Sequence, residues 1–552
     1  MHPINRGYKM KRLASLAALA VALVSAPVGA QAAPPAAAAP KLIVVVSVDQ
    51  FSADLFAEYR DHASGGFARL LKGAVFPHGY QSHAATETCP GHSTILTGLR
   101  PEHTGIIANN WVDQRVARAD KTVYCAEDES VPGSTSQNYT VSDKHLRVPT
   151  LGERMKTANA ATRVVSVAGK DRAAVMMGGH KVDELWWWDG KAFVSYAGRL
   201  TPPVVTRANA ATAALIAQAQ PALDTPTWCL SHDKAVALAD GKSVGTGHFE
   251  RTAGDAKAFR ASPAFDAAIV ALAAGLVQDM KLGQGKTTDI ISIGASATDY
   301  IGHSYGTEGA EMCIQLSQLD TTLGQFFGVL DRTGVDYEVV LTADHGGNDL
   351  PEREVTSGIP EAQRVDVALA PAVMGKAIAV KLGITGATLR GDIPNGDVWL
   401  DAALTPPQRT AVLDAAVAAY SAHPQVAAVF TAAQISASAE PSGPPEGWTL
   451  LQKARASYDA ERSGDLLVFL KPRVTAIPDA LHGYVATHGS PWDYDRRVPI
   501  LFWRKGMVGF EHPAGIETVD IAPTLAAQIG LALPKLDGTC RDLGAGQGGP
   551  CR

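Results

Sequence analysis

No basic patch, no C-x-x-C pair, no internal repeat and no long apolar run beyond the first thirty residues occur in this sequence. Each absence excludes something. Charged residues make up only 19% of the chain and the net charge is −6, so it has no electrostatic footprint for nucleic acid and no nucleic-acid scaffold is expected as a partner. Local cations can still draw in a small phosphate ester. Without a later segment of transmembrane length and purity, stable membrane insertion is not expected. Without C-x-x-C, the six cysteines offer no thiolate zinc site of the common spacing. Disorder is excluded by a 46% hydrophobic content.

What is present begins with an export signal. Arg6, Lys9, Lys11 and Arg12 form a positive n-region, residues 13–24 a short apolar stretch, and Ala30-Gln31-Ala32 an A-x-A cleavage site. Residues 1–32 therefore read as a signal peptide and 33–40, rich in Ala and Pro, as a flexible mature N-terminus. The destination is the periplasm or the exterior, where disulfides persist. Six cysteines allow about 15 pairings. Cys540 and Cys551 close a short Gly-rich loop and are the pair expected from spacing.

A chain of 552 residues exceeds one ordinary core and implies two domains or one large domain with insertions. Residues 42–48 (LIVVVSV), 289–294 (DIISIG) and 338–343 (EVVLTA) are continuous apolar, β-branched runs, the pattern of strands covered on both faces. Between the last two, Met312, Leu316, Leu319, Leu323, Phe326, Phe327 and Leu330 recur at helical spacing. Strand, helix, strand predicts an α/β fold with a central, mostly parallel sheet flanked by helices. Residues 41–175, 265–350 and 455–552 are expected to build this core. Residues 176–264, with Trp186-Trp187-Trp188, and 351–454, rich in Ala and Pro, break the rhythm and are expected as two insertions capping the site. A tryptophan cluster is more often core than binding surface, and no role is assigned to it.

Ligands of open α/β sheets bind beyond the carboxyl ends of the strands. Asp49, Asp299 and the pair Asp344-His345 all stand there. Asp299 and His303, four apart, share one face of a helical turn. With His488 in T-H-G-S they make three aspartates and three histidines, a donor set that suits zinc in two sites of about three ligands each. Thr88 precedes Pro90 at an expected helix start, where backbone amides and the helix dipole favour an anion. A threonine hydroxyl is a weak nucleophile until a base or a metal activates it. Taken alone, Thr88 is an ordinary N-cap; the surrounding ligand set changes that reading.

The segments V-S-V-D ending at Asp49, T-C-P-G-H from Thr88, G-I-I-A-N ending at Asn109, G-K-D-R from Gly169 to Arg172, D-Y-I-G-H from Asp299, A-D-H-G-G from Ala343 and T-H-G-S from Thr487 occur in this order. The set resembles the threonine-nucleophile, phosphate-irrepressible (PafA-like) alkaline phosphatases of the alkaline phosphatase superfamily, and the related nucleotide pyrophosphatase/phosphodiesterases. Residues 519–524 (VDIAPT) are similar to a helix of the same superfamily.

The resemblance implies an alkaline phosphatase that acts on small phosphate monoesters, with weaker phosphodiesterase activity. It implies two zincs per chain, one held by Asp299, His303 and His488, the other by Asp49, Asp344 and His345 beside the Thr88 oxygen. It makes Thr88 the covalent nucleophile and assigns Asn109, Lys170 and Arg172 to the phosphoryl oxygens. The cations favour monoesters over the diesterase alternative, because a dianion has one more free oxygen to be met. A sulfatase is excluded by spacing: proline follows Cys89 directly and no arginine completes C-x-P-x-R. Cys89 is expected to pack or to form a disulfide. A non-catalytic binding protein of the same fold is a further alternative, opposed by the full ligand set.

Overall fold

The computed structural model describes residues 38–544 and Cys551, apart from positions 240, 393–394 and 482. The expected signal peptide, 1–32, and residues 33–37 of the N-terminal stretch lie outside the described residues.

The main sheet has ten strands. In chain order they are β1 (Leu42–Val48), β2 (Ala74–Tyr80), β3 (Val164–Ala168), β4 (Glu184–Trp188), β5 (Phe193–Val194), β6 (Asp289–Ala295), β7 (Tyr337–Thr342), β8 (Arg497–Arg504), β9 (Phe510–Glu511) and β10 (Ile516–Glu517). Across the sheet they run β9-β2-β8-β7-β1-β6-β3-β4-β5, with β10 also paired to β2. From β7 through β1, β6 and β3 to β4 every pairing is parallel. β8 reverses direction and joins β7 to β2 by antiparallel ladders. The expected α/β class with a mostly parallel sheet is what the chain forms.

The unbroken apolar run of β1 has a direct cause. Val44, Val46 and Val48 enter one core, against Phe265, Ile269 and Leu272 of helix Pro263–Asp279 and against Leu316, Leu319 and Leu323. Ile43 and Val45 enter the core on the opposite face, with Ile95, Leu96, Met176 and Met177. Each such side chain is worth roughly 1.5–3 kcal/mol relative to exposure, and a charge at any of these positions would face no solvent on either side. The helices that matter for the site are α1 (Thr88–Thr97), α2 (Asp171–Gly178), α3 (Ala297–Tyr305) and α4 (Ala310–Thr333). The helical repeat read from Met312 to Leu330 is the buried stripe of α4.

Two features depart from a simple core-plus-insertions picture. β4 and β5 edge the main sheet although they fall within 176–264, and Trp186, Trp187 and Trp188 are buried there as core. Residues 389–470 supply a second sheet of four antiparallel strands, Leu389–Arg390, Gly396–Leu400, Leu466–Leu470 and Val426–Thr431 in that order. It has its own core of Leu369, Ile378, Val398, Val412, Tyr420 and Val468.

Disulfides join Cys89 to Cys125, Cys229 to Cys313 and Cys540 to Cys551. The last is the pair expected from spacing, and Cys89 is a disulfide residue. Among the described residues, no helix is long and apolar enough to cross a membrane.

Candidate active site

Register brings the acids together. Val48 pairs with Ala295 and Ser47 with Thr342, so β1, β6 and β7 end side by side. Asp49 leaves β1, Asp344 follows β7, and Asp299 stands in the first turn of α3 just beyond β6. All three are buried. α1 lies across the same strand ends. Gly91 is required there, because a Cβ at that position would come within 1.9 Å of the Asp344 carbonyl oxygen. That close approach sets Thr88, the first residue of α1, beside the acids.

The histidines are oriented by backbone carbonyls. His303 Nδ1 is 2.8 Å from the Ala486 carbonyl oxygen, His488 Nδ1 is 2.8 Å from that of Thr86, and His345 Nδ1 is 2.8 Å from that of Gly346. An Nδ1–H donated to a carbonyl leaves Nε2 as the lone-pair face of the ring. Those Nε2 atoms point at carboxylates: His303 and His488 lie 3.3 Å from Asp299 Oδ1, and His345 lies 3.4 Å from Asp344 Oδ2 and 3.5 Å from Asp49 Oδ1. Lone pairs facing lone pairs repel unless a cation stands between them.

The buried atoms left without a hydrogen-bond partner include Asp49 Oδ1, Asp299 Oδ1, Asp344 Oδ2 and His345 Nε2. Burial and the Asp344 charge push the Asp49 carboxyl well above its usual range. Burial, with His488 adjacent, brings His345 down to about 3 and so keeps it neutral, the form that ligates a metal. At these strand ends two groups close to within 4.8 Å: Asp299, His345 and His488, and Asp49, Asp344 and His345. His345 belongs to both. His303 reaches Asp299 along the face of α3. Carboxylate oxygens and the neutral His345 imidazole, unpartnered and buried, with His303 and His488 beside them, fit divalent metal ions.

Two cations also approach Thr88. Lys170 Nζ lies 2.6 Å from Asp49, 2.5 Å from Asp299 and 3.5 Å from Thr88 Oγ1. Arg172 Nη2 is also 3.5 Å from Thr88 Oγ1. Lys170 is the residue before α2, and Arg172 lies in its first turn. Asn109 approaches through its side-chain oxygen, which accepts the Cys89 N–H at 2.8 Å, while its own N–H donates to Glu87 at 2.6 Å. All ten residues singled out from the sequence are thus drawn to one place.

The structure adds residues that the sequence reading left without a role. His92, one turn along α1, has Nδ1 2.9 Å from the Thr88 carbonyl and 3.1 Å from Asp344 Oδ2. Its position four residues after Thr88 was the available signal. Tyr124, Tyr139 and Asp171 form a cluster behind Arg172. Nothing local marks those tyrosines. A separate cleft of about 940 Å³, lined by His232, Arg353 and Arg364 among others, contains none of these residues. Its arginines are paired, Arg353 with Asp349 and Arg364 with Glu352.

Comparison with known proteins shows the family and the fold. The type I phosphodiesterase / nucleotide pyrophosphatase family matches residues 43–491. Alkaline phosphatase PhoK of Sphingomonas sp. is 59% identical over 522 residues, covering 94% of this chain and 93% of that protein. Alkaline phosphatase PhoD of Zymomonas mobilis is 48% identical over 510 residues, covering 91% and 88%. Among solved structures, that of alkaline phosphatase PafA superposes with a TM-score of 0.77 at 24% identity, covering 91% of this chain and 98% of that one, and so shares the fold. The chain belongs to the type I phosphodiesterase / nucleotide pyrophosphatase family, on the branch occupied by the alkaline phosphatases.

Proposed function

We propose that this protein hydrolyses phosphate monoesters through a covalent phosphothreonine at Thr88, in a site that holds two zinc ions. The observation that carries the reading is the position of the Thr88 hydroxyl. It has the buried Lys170 ammonium and the half-buried Arg172 guanidinium each 3.5 Å away, and Lys170 is in turn paired with Asp49 and Asp299 of the two carboxylate–imidazole groups. Its relatives PhoK and PhoD are alkaline phosphatases, which supports the substrate class.

Asp49, Asp344 and His345 would hold one ion, and Asp299, His303 and His488 the other. Bound there, zinc supplies Lewis acidity that lowers the pKa of a neighbouring hydroxyl and offsets charge on oxygens entering and leaving phosphorus. The chain's own residues do the rest. Thr88 Oγ1 attacks phosphorus; the new P–O bond forms as the ester P–O bond breaks, and the leaving oxygen takes a proton to become the alcohol. Water then attacks the phosphothreonine, the bond to Thr88 breaks, and phosphate leaves. The net reaction consumes one ester and one water. Lys170 and Arg172 would meet the non-bridging oxygens, the arginine with two parallel donors. Asn109, whose oxygen is occupied by the Cys89 N–H, offers its amide hydrogens to the same oxygens. Diester cleavage at the same site is a weaker side activity, because a diester lacks one of the oxygens these donors serve. Three disulfides and the N-terminal signal sequence support a periplasmic or secreted enzyme.

Acid quenching during turnover of a chromogenic monoester, followed by peptide mapping, is expected to find phosphate on Thr88. Elemental analysis is expected to find two zincs per chain. Full activity with no metal and an unmodified Thr88 would overturn the reading.

A further inference from the structure

Lys170 and Arg172 are only two residues apart but are held by different means. Lys170 is fixed by carboxylates that belong to the site itself and lies 5.1 Å above the ring of Tyr300. Among the described residues, no carboxylate lies within ion-pair distance of Arg172. Its Nη1 donates to the Tyr124 hydroxyl at 3.4 Å. That hydroxyl in turn donates to Asp171 Oδ1 at 2.7 Å. The second oxygen of Asp171 accepts from the Tyr139 hydroxyl at 2.8 Å, and Oδ1 also accepts the backbone N–H of Arg172 at 2.7 Å. The two tyrosine rings meet with centroids 4.6 Å apart. Tyr124 and Asp171 are both buried.

We propose that Tyr124 is a positioning residue that aims Arg172 at the phosphoryl group, with Asp171 and Tyr139 as its anchor. The inference rests on the monoesterase reading above. Asp171 is buried and takes no cation directly, so its charge acts on the guanidinium through one hydroxyl. Burial and Asp171 push the Tyr124 phenol well above its usual range, so the hydroxyl keeps the proton it donates and presents its lone pair to Arg172. The anchor is also tied to the nucleophile. The disulfide Cys89–Cys125 joins the residue after Thr88 to the residue after Tyr124. Nucleophile and anchoring tyrosine are thereby tied by a disulfide, and the guanidinium is tied to the tyrosine by a hydrogen bond, where a misplacement of about 1 Å costs on the order of 100-fold in rate. With the hydroxyl removed, the arginine keeps its charge but loses its direction. The loss should then fall on the substrate that uses all the donors.

The test is a double-mutant cycle on monoester and diester substrates with the zinc-loaded enzyme. Tyr124→Phe keeps the ring and removes only the hydroxyl. It is expected to lower monoester kcat/KM about 10-fold and diester kcat/KM less than about 2-fold. Tyr139→Phe, one step further from Arg172, is expected to lower the monoester value about 3-fold. In an Arg172→Ala background, Tyr124→Phe should have no further effect beyond about 2-fold. Equal losses on both substrates, or the same loss with and without Arg172, would make Tyr124 a structural residue and overturn the proposal. Unchanged monoester activity in Tyr124→Phe would overturn it also. Arg172→Ala measured alone separates the two levels: if it fails to favour diesters, the monoesterase reading of Arg172 falls, and the clamp falls with it. Thermal melting of each variant checks that the fold survives, and any folded variant decides the question.

Discussion

Both ends of the central sheet bury carboxylates, and they satisfy them in opposite ways. At the amino ends of the strands, Asp289 opens β6 and accepts the backbone N–H groups of Arg163 and Gly283 at 2.8 Å each, with the Arg163 guanidinium also bonded to it. Glu338, near the start of β7, is paired in register with Arg504, yet neither of its carboxylate oxygens has a hydrogen-bond partner. Burial therefore raises it to about 7. One acid is matched by an arginine and the other is matched by a proton. At the carboxyl ends, Asp49, Asp299 and Asp344 face imidazoles, of which His345 is held neutral by burial, and one lysine serves two of the acids. A structural site closes its charges locally, by pairing or by protonation. The carboxyl-end site leaves inward-facing lone pairs unmatched, which is costly unless something cationic enters.

The most damaging way to break the functional end is to remove its proposed nucleophile. Thr88→Ala is expected to lose on the order of 10³-fold or more in kcat, while metal content stays at the wild-type level. Thr88→Ser keeps a hydroxyl and should retain part of the activity. Steady-state kinetics beside elemental analysis checks both, and an alanine variant with wild-type kcat would remove Thr88 from the chemistry.

The two histidines sharpen the comparison next. His345 closes with Asp49 and Asp344, whereas the acid that His303 reaches is Asp299. His345→Ala should therefore lower metal occupancy at the Asp49–Asp344 position, and His303→Ala at the Asp299–His488 position. Changes behind metal ligands already cost about 10- to 100-fold, so loss of a ligand should exceed about 100-fold in activity. Wild-type metal content in either variant would remove that histidine from the ligand set.

The cation side is tested by Lys170→Ala combined with Arg172→Ala. Charge-assisted hydrogen bonds are worth about 1.5–3 kcal/mol each, so monoester kcat/KM should fall at least about 100-fold. Diester turnover should fall much less and the preference should move toward diesters. Equal losses on both substrates would mean that the pair supports structure and does not select charge.

How much of this was legible beforehand follows from distance along the chain. Asp344-His345 are adjacent, Asp299 and His303 are one helical turn apart, and each stands after a β-branched run, so local rules place them. The three runs read as strands are β1, β6 and β7, and the repeat after the second is α4. The Tyr124 cluster had no such signal. Its contact with Asp171 spans 47 residues, and a lone tyrosine in sequence looks the same whether its hydroxyl meets solvent or a buried acid. The edge strand β4 was hidden for a related reason. Three tryptophans in a row show no alternation, because β4 sits inside two cores at once, Trp186 and Trp188 on one face and Trp187 on the other. The sharing of His345 between two groups was also illegible, since it depends on the ring stacking of His345 on His488, with centroids 3.7 Å apart.

The smallest expected effect lies at the structural end and concerns stability alone. Glu338 has an ordinary pKa near 4.5 when unfolded and about 7 in the fold, because burial penalises its charged form. The unfolded chain therefore gives up this proton at lower pH than the native one. A raised acid stabilises the fold fully below about pH 4.5; the contribution fades as pH rises and is gone above about pH 7. Relative to an uncharged isostere, the wild type carries a penalty at alkaline pH of about 3 kcal/mol as an upper bound. Glu338→Gln removes the titration and keeps the shape. Its melting temperature should exceed that of the wild type at pH 9 by on the order of 3 °C, and the gap should close by pH 4. Activity should be unaffected, since Glu338 lies at the opposite end of β7 from Asp344. A melting difference independent of pH would mean that Glu338 is held charged by Arg504 after all, and both ends of the sheet would then keep their acids ionised.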